Sequence, residues 1–103
     1  MPNAINEALD KLADAYGYAL VYKKPEDYIH TIGTVLTIDT FDNCKKWIQD
    51  WADTDARMRE IGIDNNHAES IEIVPVSRLH VSTRRAVVKE NIYLSKLSAS
   101  ADE

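Results

Sequence analysis

The stretch from Asp39 to Ile61 constrains the fold more than any other part of the chain. It contains both tryptophans, the only phenylalanine and the only cysteine. Phe41, Cys44 and Trp51 recur at helical spacing, and charged side chains occupy the positions between them. The pattern predicts one amphipathic helix, here called the Trp helix, whose aromatic side anchors the core.

The carboxylate of Asp55 falls on the apolar side of the Trp helix, where an unpaired charge is costly to bury. Two arrangements would avoid that cost. Asp55 pairs with Arg59 one turn later, or the helix breaks near Thr54 and restarts. We expect a single helix that bends or frays near Thr54.

The first third of the chain predicts a helix followed by two strands. Residues 3–16 repeat apolar side chains at helical spacing, with Asn3 as the N-cap and Gly17 as the left-handed stop. Residues 18–22 and 28–38 are rich in aromatic and β-branched residues, which favours strands. We expect these two strands to pair as an antiparallel hairpin.

The last third of the chain predicts a strand and one further element that is either a helix or short strands. Residues 71–76 form a predicted strand, and Pro75 within it cannot donate to a ladder, so we expect the strand at a sheet edge. Residues 83–97 fit a helix and short strands equally well. The whole pattern predicts an α+β fold of two layers in the order α-β-β-α-β, followed by one uncertain element. An antiparallel sheet would carry two helices, the first helix and the Trp helix, on one face.

Length and composition predict one domain. A chain of 103 residues with 45% apolar and 28% charged residues has the composition of a globular domain. We assign the domain to residues 1–97 and expect residues 98–103, which lack large apolar groups, to form a disordered tail. A single cysteine excludes an internal disulfide. No signal-peptide pattern or membrane-spanning stretch is present, so we expect a cytoplasmic protein that does not contact membranes.

The chemistry-bearing residues do not form a catalytic or metal-binding motif. Cys44 lies near the start of the Trp helix, where a thiolate can be stabilised, but its spacing places it with the buried apolar residues. The three histidines, His30, His67 and His80, are far apart and show no ligand spacing. We therefore expect no catalytic residues, no metal and no cofactor, and we predict that the protein is not an enzyme.

Charge and tyrosine content indicate a partner surface. Residues 1–72 hold 14 acidic and 7 basic side chains, whereas residues 73–103 hold 5 basic and 3 acidic ones. Such asymmetry steers association, and aromatic side chains supply binding energy. The candidate partner-binding residues are Tyr18, Tyr22, Tyr28, Arg84 and Arg85. Alternation along the first strand leaves open whether its tyrosines are core or interface.

These observations predict a small, acidic, non-enzymatic protein-binding module with a net charge of −5. Its size and charge resemble those of the inhibitor proteins of phages and mobile elements, of the anti-restriction or anti-CRISPR type. The expected partner is a host protein or a second copy of the chain in a homodimer. The alternative is a nucleic-acid-binding accessory protein that uses the basic C-terminal third.

Overall fold

The computed structural model describes residues 4–101, with the side chains of residues 4–93. This part of the chain forms three α-helices and three strands, separated by short 3₁₀ turns at 32–34, 68–70 and 76–78. The elements are α1 (Ala4–Tyr16), β1 (Tyr18–Tyr22), β2 (Val35–Asp39), α2 (Phe41–Glu60), β3 (Ile71–Pro75) and α3 (Val81–Ala101). The α+β class and the predicted order are confirmed, and the uncertain last element is a helix.

Two sequence predictions concern the ends of the chain. The proposed N-cap Asn3 lies outside the described residues. The backbone of α3 is helical through Ala101, while residues 102–103 also lie outside the described part. The disordered tail at 98–103 therefore stays a prediction.

The sheet has the order β2-β1-β3, and both pairings are antiparallel. The predicted hairpin of β1 and β2 is confirmed, and so is the edge position of β3 with Pro75. The second strand begins at Val35 rather than at Tyr28. Its predicted first half is a loop and a 3₁₀ turn, because the Thr34 hydroxyl hydrogen-bonds the backbone N–H and C=O of Thr31 and so competes with a ladder.

Both faces of the sheet are covered by helices. Ala19 and Val21 of β1 belong to one buried cluster, whose helical members are Leu9, Ala13, Val87 and Val88 from α1 and α3. Tyr18, Leu20 and Tyr22 point to the other face, where Cys44, Ile48 and Trp51 of α2 pack with Ile71 and Ile73 of β3. Two helices share one face as predicted, but these helices are α1 and α3. The Trp helix, which is α2, covers the opposite face, so its predicted place beside α1 is wrong. The sheet thus lies between two helical layers, because every position of β1 is apolar or aromatic and both of its faces need cover.

The connection between α1 and β1 is a turn at Gly17 that contacts the chain after β3. Gly17 has a φ of 87°, and its N–H donates to the Ala13 carbonyl at 2.8 Å, which ends α1 as predicted. The Gly17 carbonyl accepts from the Val76 N–H at 3.1 Å. The C-terminus of α1 therefore lies beside the chain that leads into α3.

Candidate functional site

The N-terminus of α2 is fixed by side-chain caps. Asp39 and Thr40 can both cap a helix by their residue types, and Thr40 is the N-cap, because its Oγ1 accepts a hydrogen bond from the Asn43 N–H at 3.2 Å. Asp39 Oδ1 accepts from the Thr40 N–H at 2.8 Å and from Asn43 Nδ2 at 3.0 Å. Along the helix that these caps begin, Cys44 and Trp51 face the sheet while Trp47 faces outward.

A row of three rings runs along one flank of α2 and onto the loop that follows it. The ring centroids of Trp47 and Trp51 are 6.1 Å apart at 88°, and those of Trp51 and His67 are 5.2 Å apart at 75°. Trp47 is 45% exposed, whereas Trp51 is half-buried against the sheet. We call Trp47, Trp51 and His67 the aromatic face. Its middle ring, Trp51, is half-buried, and its two ends, Trp47 and His67, are exposed.

Asp55 is buried to 3% exposure beside this face. Its Oδ1 accepts from Asn65 Nδ2 at 2.8 Å, and its Oδ2 accepts from the Ala68 N–H at 2.8 Å. The expected single helix is confirmed, but neither of the two arrangements considered for this carboxylate is present. It does not pair with Arg59, and α2 runs unbroken past Thr54, because the following loop folds back and supplies two neutral donors.

Arg59 holds the same loop at a second point. Its Nη1 donates to the Asn65 carbonyl at 3.0 Å and to Asn66 Oδ1 at 3.1 Å. The carbonyl of His67 accepts from the Ser70 hydroxyl at 2.7 Å and from the Ser70 N–H at 3.1 Å. The loop is thus clamped to the last two turns of α2, and the clamp places His67 against Trp51.

Two clefts open on either side of Trp51. The N-terminal cleft has a volume of about 290 Å³, and the C-terminal cleft has a volume of about 270 Å³. The N-terminal cleft is lined by Asp39, Asn43, Lys46, Trp47, Asp50 and Trp51. The C-terminal cleft is lined by Trp51, Thr54, Asp55, Asn65 and His67. Both combine indole surface with carboxylates, which suits the binding of apolar and cationic groups.

The predicted tyrosines occupy two environments. Tyr18 and Tyr22 are half-buried and pack against the cluster beneath α2, and the Tyr18 ring lies 5.1 Å from that of Phe41. Tyr28 is 39% exposed; its ring lies 5.5 Å from the His30 ring, and its centroid lies 5.5 Å from Lys24 Nζ. Of the three, Tyr28 is the one whose exposure suits a partner contact, and this role stays a prediction.

The predicted arginines lie on the other side of the sheet, at the start of α3. Arg85 donates through Nε and Nη2 to the two carboxylate oxygens of Asp10 at 2.9 and 2.8 Å. These hydrogen bonds lower the pKa of Asp10 and raise that of Arg85. Arg84 is half-buried, and its Nε has no hydrogen-bond partner within the described chain. The structure therefore does not bring the arginines together with the tyrosines, and it uses Arg85 to join α3 to α1.

The thiol of Cys44 lies inside the protein, and its pKa is raised. It is fully buried, as predicted, and burial together with the charge of Asp39 raises its pKa to about 11. Within residues 4–93, no three His, Cys, Asp or Glu side chains gather where they could hold a metal ion. The prediction of no cofactor is not tested by this arrangement. The chemistry that the described side chains do offer is stacking, hydrogen bonding and charge attraction.

The sequence predictions missed the C-terminal cleft. Two sequence features could have indicated this cleft. Asp55 falls on the apolar side of α2, and the segment Asp64-Asn65-Asn66-His67 is rich in hydrogen-bond donors. A buried carboxylate needs donors, and a loop of this composition can provide them. Both features were visible, but spacing does not show that they meet.

No family model, no curated protein and no solved structure matches this chain. Among the described helices, none has the length and apolar character needed to cross a bilayer.

Proposed function

We propose that this protein is a non-enzymatic binding module that engages another protein through its aromatic face. The observation that carries the proposal is Trp47, a tryptophan 45% exposed that packs edge-on against a second tryptophan. Tryptophan is enriched among the few residues that dominate interface energies, and such residues work best next to water-excluding neighbours. The half-buried ring of Trp51 provides that setting in the N-terminal cleft.

The rigidity of the surface supports the same proposal. Caps from Asp39 and Thr40 fix the start of α2, and the Asp55 and Arg59 hydrogen bonds fix the loop that carries His67. A surface that is already ordered loses little conformational entropy on binding, so more of its contact energy appears as affinity.

Within this class we propose an inhibitor of the phage or mobile-element type that acts on a host protein in the cytoplasm. The support for this narrower proposal is the combination of 103 residues, a net charge of −5 and an aromatic surface. A rigid aromatic surface on a small domain can block a larger protein by occupying its functional surface. The alternative, nucleic-acid binding through the basic C-terminal third, has less support because Asp10 neutralises Arg85 and Arg84 is half-buried.

The test uses the tagged full chain as bait in a lysate of the source cell, with and without nuclease. The variants are Trp47→Ala and the matched control Tyr93→Ala, which removes an aromatic side chain that is 62% exposed on α3. A protein captured by wild type and by Tyr93→Ala is purified, and its affinity for each variant is measured. We expect Trp47→Ala to weaken it about 30-fold, the size of a hot-spot contact of about 2 kcal/mol.

Two outcomes contradict the proposal. A partner that binds Trp47→Ala as tightly as wild type places the interface elsewhere. Capture that disappears with nuclease favours the nucleic-acid alternative. Circular dichroism of both variants checks that the fold is retained.

A further inference from the structure

The carboxylate of Asp55 is buried without an ion-pair partner among the described residues. The ion pairs found in the described residues are Lys45 with Asp42 and Arg85 with Asp10, and neither includes Asp55. Each oxygen of Asp55 accepts one hydrogen bond, and both donors are neutral amides. A carboxylate has about four lone-pair sites, and hydrogen bonds from the described residues occupy two of them.

The position of this charge next to a cleft matters more than its burial alone. Asp55 lines the C-terminal cleft together with the rings of Trp51 and His67. Apolar walls lower the local dielectric constant, so a charge there attracts an opposite charge more strongly than a surface carboxylate does. Both donors to the carboxylate are neutral, so a cation in the cleft would add an ion pair that the described residues do not provide.

The ring of Trp51 provides the second element of cation recognition. Cations bind over the face of an aromatic ring, and tryptophan is the strongest such ring in proteins. The planar guanidinium of arginine can lie on an indole and at the same time direct N–H groups at a carboxylate. In this cleft an indole and a carboxylate with unused lone pairs line the same space of about 270 Å³.

The charged residues nearby favour cation binding in the C-terminal cleft over cation binding in the N-terminal cleft. The N-terminal cleft holds Lys46 together with Asp39 and Asp50, so its carboxylates already have a cation in the same cleft. The described residues that line the C-terminal cleft include no lysine or arginine. The loop side of the cleft, residues 62–70, carries Asp64 and Glu69 and no basic residue. Arg59 of α2 donates to the Asn65 carbonyl of this loop, and the nearby carboxylates outnumber this one cation.

We infer that the C-terminal cleft binds an arginine side chain of the partner protein, stacked on Trp51 and hydrogen-bonded to Asp55. The inference rests on the proposed function, since it names the chemical group of the partner that the aromatic face receives. The partner surface is accordingly basic, with at least one arginine that projects beyond its neighbours. Specificity for arginine comes from the carboxylate, and affinity for the rest of the partner comes from Trp47.

The experiment titrates the full chain with N-acetylarginine methylamide and follows the indole N–H signals of both tryptophans by NMR. The neutral isostere N-acetylcitrulline methylamide is the matched ligand control, and Trp47 is the internal control. The titration is run at mildly alkaline pH, where histidine is neutral. We expect saturable shifts of the Trp51 indole and the Asn65 side-chain amide with the arginine probe, and at least about tenfold weaker binding of the citrulline probe.

A pair of variants separates the cleft from general charge effects. Thr54→Lys places a cation at the rim of the cleft, and Gln49→Lys adds the same charge on the outer side of α2, where Gln49 is also exposed. We expect Thr54→Lys to weaken arginine binding about tenfold and Gln49→Lys to change it less than about threefold. Both positions are exposed, so both variants should fold.

The outcomes distinguish this inference from the proposed function. No saturable shift at Trp51, or equal binding of the citrulline probe, overturns the arginine site even if Trp47 proves essential for partner capture. If the cleft binds the arginine probe but Trp47→Ala captures the partner as well as wild type does, the arginine site is supported. The aromatic face is then overturned as the main interface. If Thr54→Lys and Gln49→Lys weaken binding of the arginine probe equally, the site is overturned. The weakening would then follow from the added positive charge alone and not from its position.

Discussion

Replacing Asp55 by alanine tests the clamp that builds the candidate site. The substitution removes both acceptors, so Asn65 Nδ2 and the Ala68 N–H lose partners that lie at 2.8 Å. Hydrogen bonds to a charged group contribute about 1.5–3 kcal/mol each, which gives about 3–6 kcal/mol for two. Asn65 and Ala68 are half-buried, so water replaces part of the loss. We expect the free energy of unfolding to fall by about 2–4 kcal/mol, against a total of about 5–15 kcal/mol for a domain of this size.

The assay is urea unfolding followed by far-UV circular dichroism. Tryptophan fluorescence is the poorer probe, because Trp51 lines the same cleft as Asp55 and would respond to the local change. The matched control is Asp53→Ala on the outer face of α2, where an exposed carboxylate accepts a bond from Gln49. We expect the control to change the free energy of unfolding by about 0.5 kcal/mol or less.

Asp55→Asn separates the loss of acceptors from the loss of volume. It keeps the size of the side chain but turns one acceptor into a donor, which then faces the N–H of Ala68 or the amide of Asn65. We expect it to destabilise nearly as much as Asp55→Ala and to speed hydrogen exchange at the Ala68 amide. The reasoning is refuted if Asp55→Ala lowers the free energy of unfolding by less than about 1 kcal/mol, or by no more than Asp53→Ala does.

Three further perturbations test other parts of the fold. Cys44 should react with a thiol reagent only after unfolding, because its pKa is about 11 and its side chain is buried; rapid labelling of the native protein would contradict this. Gly17→Ala should lower the free energy of unfolding in urea by about 1–2 kcal/mol, because the φ of Gly17 is 87°. The control Gly33→Ala should lower it clearly less, because Gly33 has no positive φ and an added Cβ would meet no atom closer than 3.9 Å. Equal losses would contradict the assigned turn. Burial of His30 lowers its pKa below 6.5, so the unfolded chain takes up the proton first. The contribution of His30 to stability is therefore present above about pH 6.5 and is lost as pH falls through its lower folded pKa. His30→Gln should make the urea midpoint depend less on pH across that range. An unchanged pH dependence would contradict the lowered pKa of His30.

The sequence predicted the order of elements but not which helix covers which face. Alternation in β1 separates Ala19 and Val21 from Leu20 and its neighbours, yet both sets are apolar, so the pattern alone does not assign a partner to either face. The β-branched pair Val87 and Val88 also suits a strand. Its helical state is decided by packing against α1, which overrides local propensity.

The candidate site was only partly predictable for a related reason. The periodicity of α2 placed Asp55 on the buried side correctly, but its donors come from residues ten and thirteen positions later. That pairing depends on how the loop folds back, which spacing does not encode. The same limit applies to Tyr18 and Tyr22, because alternation shows that they share a face and only the packed structure shows that α2 covers it.

The most direct test of the aromatic face as the binding surface is hydrogen exchange of the full chain, free and in complex with the captured partner. We predict slower exchange at the backbone amides of the 62–70 loop and at the indole N–H of Trp47, with no change along α1 and α3. Protection confined to the start of α3 around Arg84, with the loop and Trp47 unaffected, would contradict the account.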